Sequence, residues 1–241
     1  PRQGRLRVFL LTGVLLALLG VAAFWLPEAL LRHTLSVVPG PTRTEIGTQL
    51  FSAIGRVSGS PCRSPRGDVA LANMHARLLE PGKGALLVVP EAVPSTVSLP
   101  GGVMLLNRAL VEDHETPDVA AGYILAEVER QEQSDPLRAV LKAAGIVPTL
   151  RLLTTGHMSD EVLQTYAEEL STVPRSEVDE ARLLERFAAA GVASTPYAYA
   201  MDVTGESTLP LIEADPMRAG EARKPVLDDS DWVALQGICG N

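Results

Sequence analysis

Aromatic residues and histidines are both scarce in this 241-residue chain. Phe, Trp and Tyr together make up 4% of it, so a core must be built mainly from Leu, Val and Ala. Histidine occurs four times, and no two histidines lie within five positions of each other: His33, His75, His114 and His157. A helix that binds zinc through HExxH needs histidines at i and i+4. The sequence therefore excludes that motif in any register.

Other catalytic signatures and a basic excess are missing as well. The chain has no GxSxG nucleophile motif, and the glycines between 55 and 59 do not form a phosphate-binding loop. Its formal net charge is −8, whereas a nucleic-acid surface needs a basic stripe. We therefore expect no nucleic-acid partner.

Hydrophobic residues make up 46% of the chain and charged residues 21%, which is typical of a globular protein. The length allows one membrane helix and one domain of about 200 residues, large enough to bury a full core. We predict an N-terminal membrane anchor with an emerging helix over residues 1–38, and an exported domain over residues 39–241.

The N-terminal segment carries the signals of a membrane anchor. Arg2, Arg5 and Arg7 precede VFLLTGVLLALLGVAAFWL, residues 8–26, which contains no charge and is long enough to cross a bilayer as a helix. The arginines predict a cytoplasmic N-terminus, so the domain would lie on the periplasmic side of the inner (cytoplasmic) membrane as a single-pass protein. The alternative is a signal peptide cleaved near residues 21–23. Both interpretations export the domain.

The only two cysteines of the sequence fit an exported domain. Cys62 lies in the loop SPCRSP, and Cys239 is third from the end of the sequence. Two cysteines in an oxidising compartment predict one disulfide bond between them. The alternative is a pair of buried, unpaired thiols.

The remainder of the chain predicts an α+β fold that is mostly helical, with a small sheet early in the domain. ALLVVP (85–90) is predicted to be a strand, and residues 96–99 and 103–106 are predicted to form a hairpin-like pair around Pro-Gly-Gly. Residues 39–43, PGPTR, are interpreted as a linker. Helices are predicted over residues 45–57, 69–79, 117–133, 135–145, 148–156, 159–170, 176–191 and 229–238.

The segment AEVER, residues 126–130, ends the helix that begins at Pro117. It follows LPGG (99–102) and precedes SEVDE (176–180) and a tail that carries a cysteine. In this order, over about residues 43–240, the segments resemble the membrane-associated zinc metallopeptidases related to HtpX, BepA and the CAAX prenyl endopeptidases (peptidase family M forty-eight). In that family a strand ending in PGG precedes the HExxH helix. The resemblance implies a zincin-like (gluzincin) domain.

When the sequence is matched to that family, none of the three metal-ligand positions holds a residue suited to bind zinc. Ala126 stands at the first ligand, Glu127 at the general base, Arg130 at the second ligand and Ser176 at the third, four residues before Glu180. Alanine has no donor atom, and arginine carries a fixed positive charge. The resemblance therefore implies a remnant site with no catalytic residue, no metal and no other cofactor.

Several roles stay open for Glu127. It can form a plain surface pair with Arg130 at i+3, or Arg130 can fill the vacated metal position with its own positive charge. A residual acid–base role is a further alternative. An unrelated metal site would need His114, His157 and a carboxylate such as Glu127 to converge.

The resemblance also implies how a partner would bind. In active relatives the sheet edge beside the cleft holds extended substrate by strand addition, so Leu99, Pro100, Gly101 and Gly102 are the expected partner-binding residues. We expect an inactive metallopeptidase-like module, tethered through residues 8–26, that binds or helps to assemble an envelope or membrane protein. The alternatives are an active metalloendopeptidase with an atypical site and a structural accessory subunit of a membrane complex.

Overall fold

A computed structural model of the chain describes residues 2–80, 82, 84–172, 175–218 and 225–240; the side chains of residues 2–10, 17–19 and 22–24 also lie outside the described part. The described residues form twelve helices and three strands. The helices are α1 (Arg2–Val37), α2 (Gly40–Ser58), α3 (Pro65–Leu78), α4 (Ala109–Glu112), α5 (Pro117–Gln133), α6 (Pro136–Ala144), α7 (Ile146–Thr155), α8 (Asp160–Glu169), α9 (Glu180–Ala190), α10 (Thr195–Met201), α11 (Leu209–Glu213) and α12 (Asp229–Gln236). The strands are β1 (Ala85–Val89), β2 (Thr96–Ser98) and β3 (Val103–Asn107).

The three strands form one small sheet in the order β1-β3-β2. β1 runs parallel to β3, and β2 runs antiparallel to it, with Val97 opposite Leu105. The expectation of a mostly helical α+β fold with a small early sheet is confirmed, and so is the pairing around Pro-Gly-Gly. The central position of β3 leaves β2 at one edge of the sheet.

The Pro-Gly-Gly turn between β2 and β3 needs its glycines. Gly101 and Gly102 have φ values of +86° and +98°, a region that residues with a Cβ rarely adopt. The turn also lies tightly against α2, because a Cβ added at Gly47 would stand 1.8 Å from the carbonyl oxygen of Pro100. The turn therefore fixes both the hairpin and its contact with α2.

The sheet separates two apolar clusters. Because side chains alternate along a strand, Met104 and Leu106 of β3 face one cluster and Leu105 faces the other. The first cluster is completed mainly by α3, α5, α9, α10 and α12, and the second by α2, α6, α7 and α8. β3 is thus buried on both faces, and α5 lies in the first cluster.

The interpretation of residues 39–43 as a linker is wrong. α2 begins at Gly40, with a proline in its first turn, and only two residues separate it from the end of α1 at Val37. Arg43 of α2 donates from Nε to the carbonyl of Val38 (3.1 Å) and from Nη2 to that of Leu35 (2.5 Å). These bonds attach the end of α1 to the domain, so the two predicted parts meet at a packed helix junction.

The start of α9 also differs from the prediction. The helix predicted from residue 176 starts at Glu180 instead, with Asp179 as its N-cap, which accepts from the backbone N–H groups of Ala181 and Arg182 at 3.0 and 3.2 Å. The predicted stop is confirmed, since Gly191 adopts the left-handed conformation after Ala190. Ser176 therefore lies in the loop that precedes the helix.

The predicted membrane segment belongs to α1, a helix of 36 residues. Over the residues whose side chains are described, no helix is long and apolar enough to cross a membrane. Parts of the 8–26 run, namely 8–10, 17–19 and 22–24, lie outside those residues. The membrane anchor stays a prediction.

The predicted disulfide bond between Cys62 and Cys239 is confirmed. It joins the loop before α3 to the segment after α12, and these two helices pack against each other. The backbone N–H of Cys62 also donates to the carbonyl of Val88 in β1 at 2.8 Å. The bond therefore holds the last helix of the chain on the first apolar cluster.

We predict that the double substitution of Cys62→Ser and Cys239→Ser lowers the free energy of unfolding. The disulfide spans 177 residues, and loop entropy sets a ceiling of roughly 5 kcal/mol on its contribution. Urea unfolding monitored by circular dichroism measures the change, and reduced wild type serves as the matched control. A double variant with the urea midpoint of the oxidised wild type would show that the bond adds no stability.

Candidate functional site

A cleft of about 600 Å³ lies beside the edge strand β2. Its walls come from β2, the C-terminal end of α5, the exposed side of α6, Tyr166 of α8 and the loop residues Arg175 and Ser176. Ligand sites in proteins commonly have volumes of roughly 300–1,000 Å³. This cleft is therefore the candidate functional site.

Glu127 is the buried acid of the cleft, with 6% of its surface exposed. Its Oε2 contacts the guanidinium Nη1 of Arg130 at 3.1 Å, and Arg175 Nη2 donates to the same oxygen. The hydroxyl of Thr96 lies 3.3 Å from Oε2, and Oε1 accepts the backbone N–H of Ser98 at 2.8 Å. A buried carboxylate is costly unless it is paired and hydrogen-bonded, and both of its oxygens meet that condition.

The carboxylate occupies the outer edge of β2. Leu99 donates its N–H to Val103 at 2.7 Å, and Asn107 donates to Ser95 at 2.7 Å, so the odd-numbered residues of this hairpin face β3. In an antiparallel pair the intervening residues direct their backbone groups to the other side. Thr96 and Ser98 therefore face the cleft, where the N–H of Ser98 binds the carboxylate.

Two arginines surround this carboxylate from different parts of the chain. Arg130, one helical turn after Glu127 on α5, also donates from Nε to the backbone carbonyl of Ser176 at 3.1 Å. Arg175 donates from Nη2 to the hydroxyl of Thr96 at 3.0 Å. Burial lowers the pKa of Arg175, while the neighbouring Glu127 carboxylate opposes that shift. The loop at 175–176 is thus fastened to both α5 and β2.

Tyr166 adds a neutral polar group to the cleft wall. Burial raises the pKa of its phenol to about 12, and the negative charge of Glu127 adds to the effect. The phenol is therefore protonated at neutral pH and can donate a hydrogen bond.

The structure brings together three of the five remnant-site residues: Glu127, Arg130 and Ser176 all line the cleft. Ala126 is fully buried in the first apolar cluster, because one residue along a helix turns its side chain by about 100°. Glu180 is exposed at the first position of α9. Ser176 lies in the loop before α9, so Ser176 and Glu180 do not share a helix face as the family pattern implies.

The predicted partner-binding residues 99–102 lie at the turn rather than in the cleft wall. Leu99 is 1% exposed and belongs to the second apolar cluster, and Pro100 is also buried. The wall of the cleft is formed by the preceding residues, from Thr96 to Ser98. Partner binding at 99–102 stays a prediction, and the strand that borders the cleft is β2, which precedes these residues.

The residues present do not fit a zinc ion. The resemblance would assign the first two ligands to an alanine and an arginine, and Ser176, which it would assign to the third, contributes a backbone carbonyl to Arg130. No group of three His, Cys, Asp or Glu side chains that could hold a metal ion occurs in the described part of the chain. The alternative set of histidines does not assemble either, since the His157 side chain lies beside Glu45 of α2 at 3.4 Å.

The sequence interpretation missed Arg175, although this residue directly precedes Ser176. It also missed Thr96 and Ser98, whose role depends on which strand residues point outward. The signal for Thr96 was present, because a polar side chain at the start of an apolar hairpin needs a buried partner. No local pattern indicated that Arg175 would reach Glu127, 48 residues earlier.

A second buried carboxylate on α5, Glu129, was also missed. It is 0% exposed, and it contacts Arg182 Nε at 3.0 Å and Arg186 Nε at 2.5 Å, both on α9. The half-exposed Glu132 joins the same two arginines. The spacing was visible in the sequence, because i, i+3 glutamates on one helix can face i, i+4 arginines on another.

No protein-family model matches this chain, and no curated protein matches it with significant similarity. The geometry of the cleft is therefore the basis for a functional proposal.

We predict that Glu127→Gln lowers the free energy of unfolding by about 2–3 kcal/mol, because it leaves two largely buried guanidinium groups without their counter-charge. Glu132→Gln is the matched control. It also removes a carboxylate from two arginines, but Glu132 is 49% exposed, so the loss should stay below about 1 kcal/mol. Chemical denaturation of both variants measures the difference. Equal losses would contradict a special role for the buried cluster.

Proposed function

We propose that this protein is a membrane-tethered, catalytically inactive relative of the zinc metallopeptidases, whose cleft binds an extended segment of an envelope or membrane protein. The observation that most directly supports this proposal is the environment of Glu127. At the position of the family's general base stands a buried carboxylate held between the guanidinium groups of Arg130 and Arg175. These fixed positive charges neutralise it in the way that a metal ion would, which supports the interpretation of Arg130 as a substitute for the cation.

The loss of metal chemistry does not remove the means of binding a peptide. Strand addition uses main-chain hydrogen bonds and side-chain pockets, and neither requires a metal. Ser98 directs its backbone groups toward the cleft, and the apolar residues Val97 and Leu170 contribute to its lining. An edge strand beside a cleft of this volume supports binding of a short extended segment.

The N–H of Ser98 already binds Glu127, so an added strand must compete with this carboxylate. A ligand with its own carboxylate can compete without leaving the arginines unpaired. The wall on α6 also favours an acidic ligand, because Lys142 lines it, whereas Arg138 in the same wall pairs with Glu28. Asp135 lines the same wall but pairs with Arg43. We therefore propose that the bound segment contains Asp or Glu.

We predict that the purified full-length chain in detergent selects acidic, extended sequences from a library of nine-residue peptides. Binding of a selected, fluorescein-labelled peptide is then measured by fluorescence anisotropy. Ala139→Trp on the exposed wall of α6 places a large side chain in the cleft, and we expect at least about tenfold weaker binding.

Ala189→Trp is the matched control for the cleft-filling variant. Ala189 is an exposed alanine on α9 and does not belong to the cleft lining. This variant should bind the selected peptide as wild type does. If both tryptophan variants bind the selected peptide as wild type does, the proposed binding site is wrong.

A metal measurement separates this proposal from an active peptidase with an atypical site. We predict that the full-length chain, purified without chelator and analysed by inductively coupled plasma mass spectrometry, carries zinc well below one ion per chain. The physical reason is that Ala126 and Arg130 supply no ligand at the first two positions. Stoichiometric zinc together with chelator-sensitive proteolysis would show that the protein is an enzyme.

A further inference from the structure

The outward face of α7 presents aliphatic side chains to the surroundings. Ile146, Val147 and Leu150 are 43%, 76% and 47% exposed, and Leu150 lies beside both of the others because it follows them by four and three positions on the helix. The opposite side is buried, with Thr149 and Leu152 at 3% and 2% exposure. A contiguous exposed apolar surface commonly marks a contact with a protein or a membrane.

This face lies on the part of the domain that holds α1. α7 packs against both α1 and α6, and α6 is joined to α1 by a contact of 2.6 Å between Arg138 Nη2 and Glu28 Oε1. Glu28 follows the end of the uncharged run at Leu26 by two residues, a rise of about 3 Å along a helix. The pair α6 and α7 is therefore attached close to the end of the predicted membrane segment.

The burial of side chains along α1 shows where the domain begins to cover this helix, and that point also follows the end of the uncharged run. Residues 11–16, 20–21 and 25–26 are exposed, whereas the domain covers Thr34 and Val38 and packs partly on Leu31 and Leu35. Among the residues of α1 whose side chains are described, those that the domain covers lie beyond the uncharged run. A bilayer around residues 8–26 would end beside α6 and α7.

We propose that the α7 face (Ile146, Val147 and Leu150) docks into the surface of the bilayer that α1 enters. The inference rests on the membrane tether of the proposed function. Arg151 is exposed beside this face and suits lipid phosphates. α7, with the sequence IVPTLRLLTT, contains no acidic residue that anionic headgroups would repel. Exposed aliphatic side chains with a neighbouring cation are the features of an interfacial helix.

The docking would also define where the cleft receives its ligand. One wall of the cleft belongs to α6, which is attached to both α1 and α7. A domain held on the bilayer by α1 and α7 keeps this wall near the lipid headgroups. The bound segment would then be one that lies directly beside the membrane in its own protein.

The test uses the full chain reconstituted in phosphatidylcholine–phosphatidylglycerol vesicles that contain a phospholipid with a diazirine in its acyl chain. After illumination, mass spectrometry locates the labelled peptides. We expect labels on α1 and on α7, and a background level at Val203 and Val233. These two valines are 86% and 66% exposed elsewhere on the domain.

Two substitutions sharpen the test. Val147→Asp should reduce labelling of α7 at least several-fold, whereas Val203→Asp, which alters another highly exposed valine, should leave the labelling of α7 unchanged. Thermal unfolding of both variants shows that each is folded. If α1 is labelled and α7 stays at the background level, the docking is wrong and the membrane tether still stands. Absence of label from α1 would overturn the tether and the docking together.

Discussion

The fold depends on the neutralisation of two buried carboxylates on α5. Glu127 and Glu129 are two residues apart, a rotation of about 200° around the helix, so they face nearly opposite sides of it. One side meets the edge of the sheet and the loop at 175–176, and the other meets α9. Each carboxylate binds two arginines, because a buried charge without a partner costs several kcal/mol. These pairings set the position of α5 between its neighbours.

The pairing of Glu127 with two arginines also limits the chemistry of the cleft. A metal ion polarises its ligands and exchanges bound water, whereas a guanidinium group supplies a fixed charge and five directional donors. Arg130 and Arg175 thus stabilise the negative charge of Glu127 without providing an electrophile. The edge of β2 and the cleft beside it depend on backbone geometry and packing, and neither requires a metal ion.

Local sequence patterns predicted the features that local forces determine. The bounds of α5 follow from Pro117 and the apolar spacing after it, and the hairpin follows from Pro-Gly-Gly. The start of α9 was not predictable in this way, because Ser176 and Asp179 are both good capping residues. The contact of Arg130 with the carbonyl of Ser176 favours a loop there and leaves the cap to Asp179. The contact of Arg175 with Glu127 depends on how distant segments pack, which no local pattern encodes.

The attachment of α1 determines how the cleft is presented, and packing contributes more to it than ion pairs do. Arg138 and Glu28 are 38% and 47% exposed, and exposed pairs contribute about 1 kcal/mol or less. Burial of Thr34, with partial burial of Leu31 and Leu35, removes a stripe of α1 from water, and Val38 directly after the helix is buried as well. Arg43 then fixes the direction of α1 through its last carbonyls. The orientation of α6, and with it the wall of the cleft, follows from this apolar stripe.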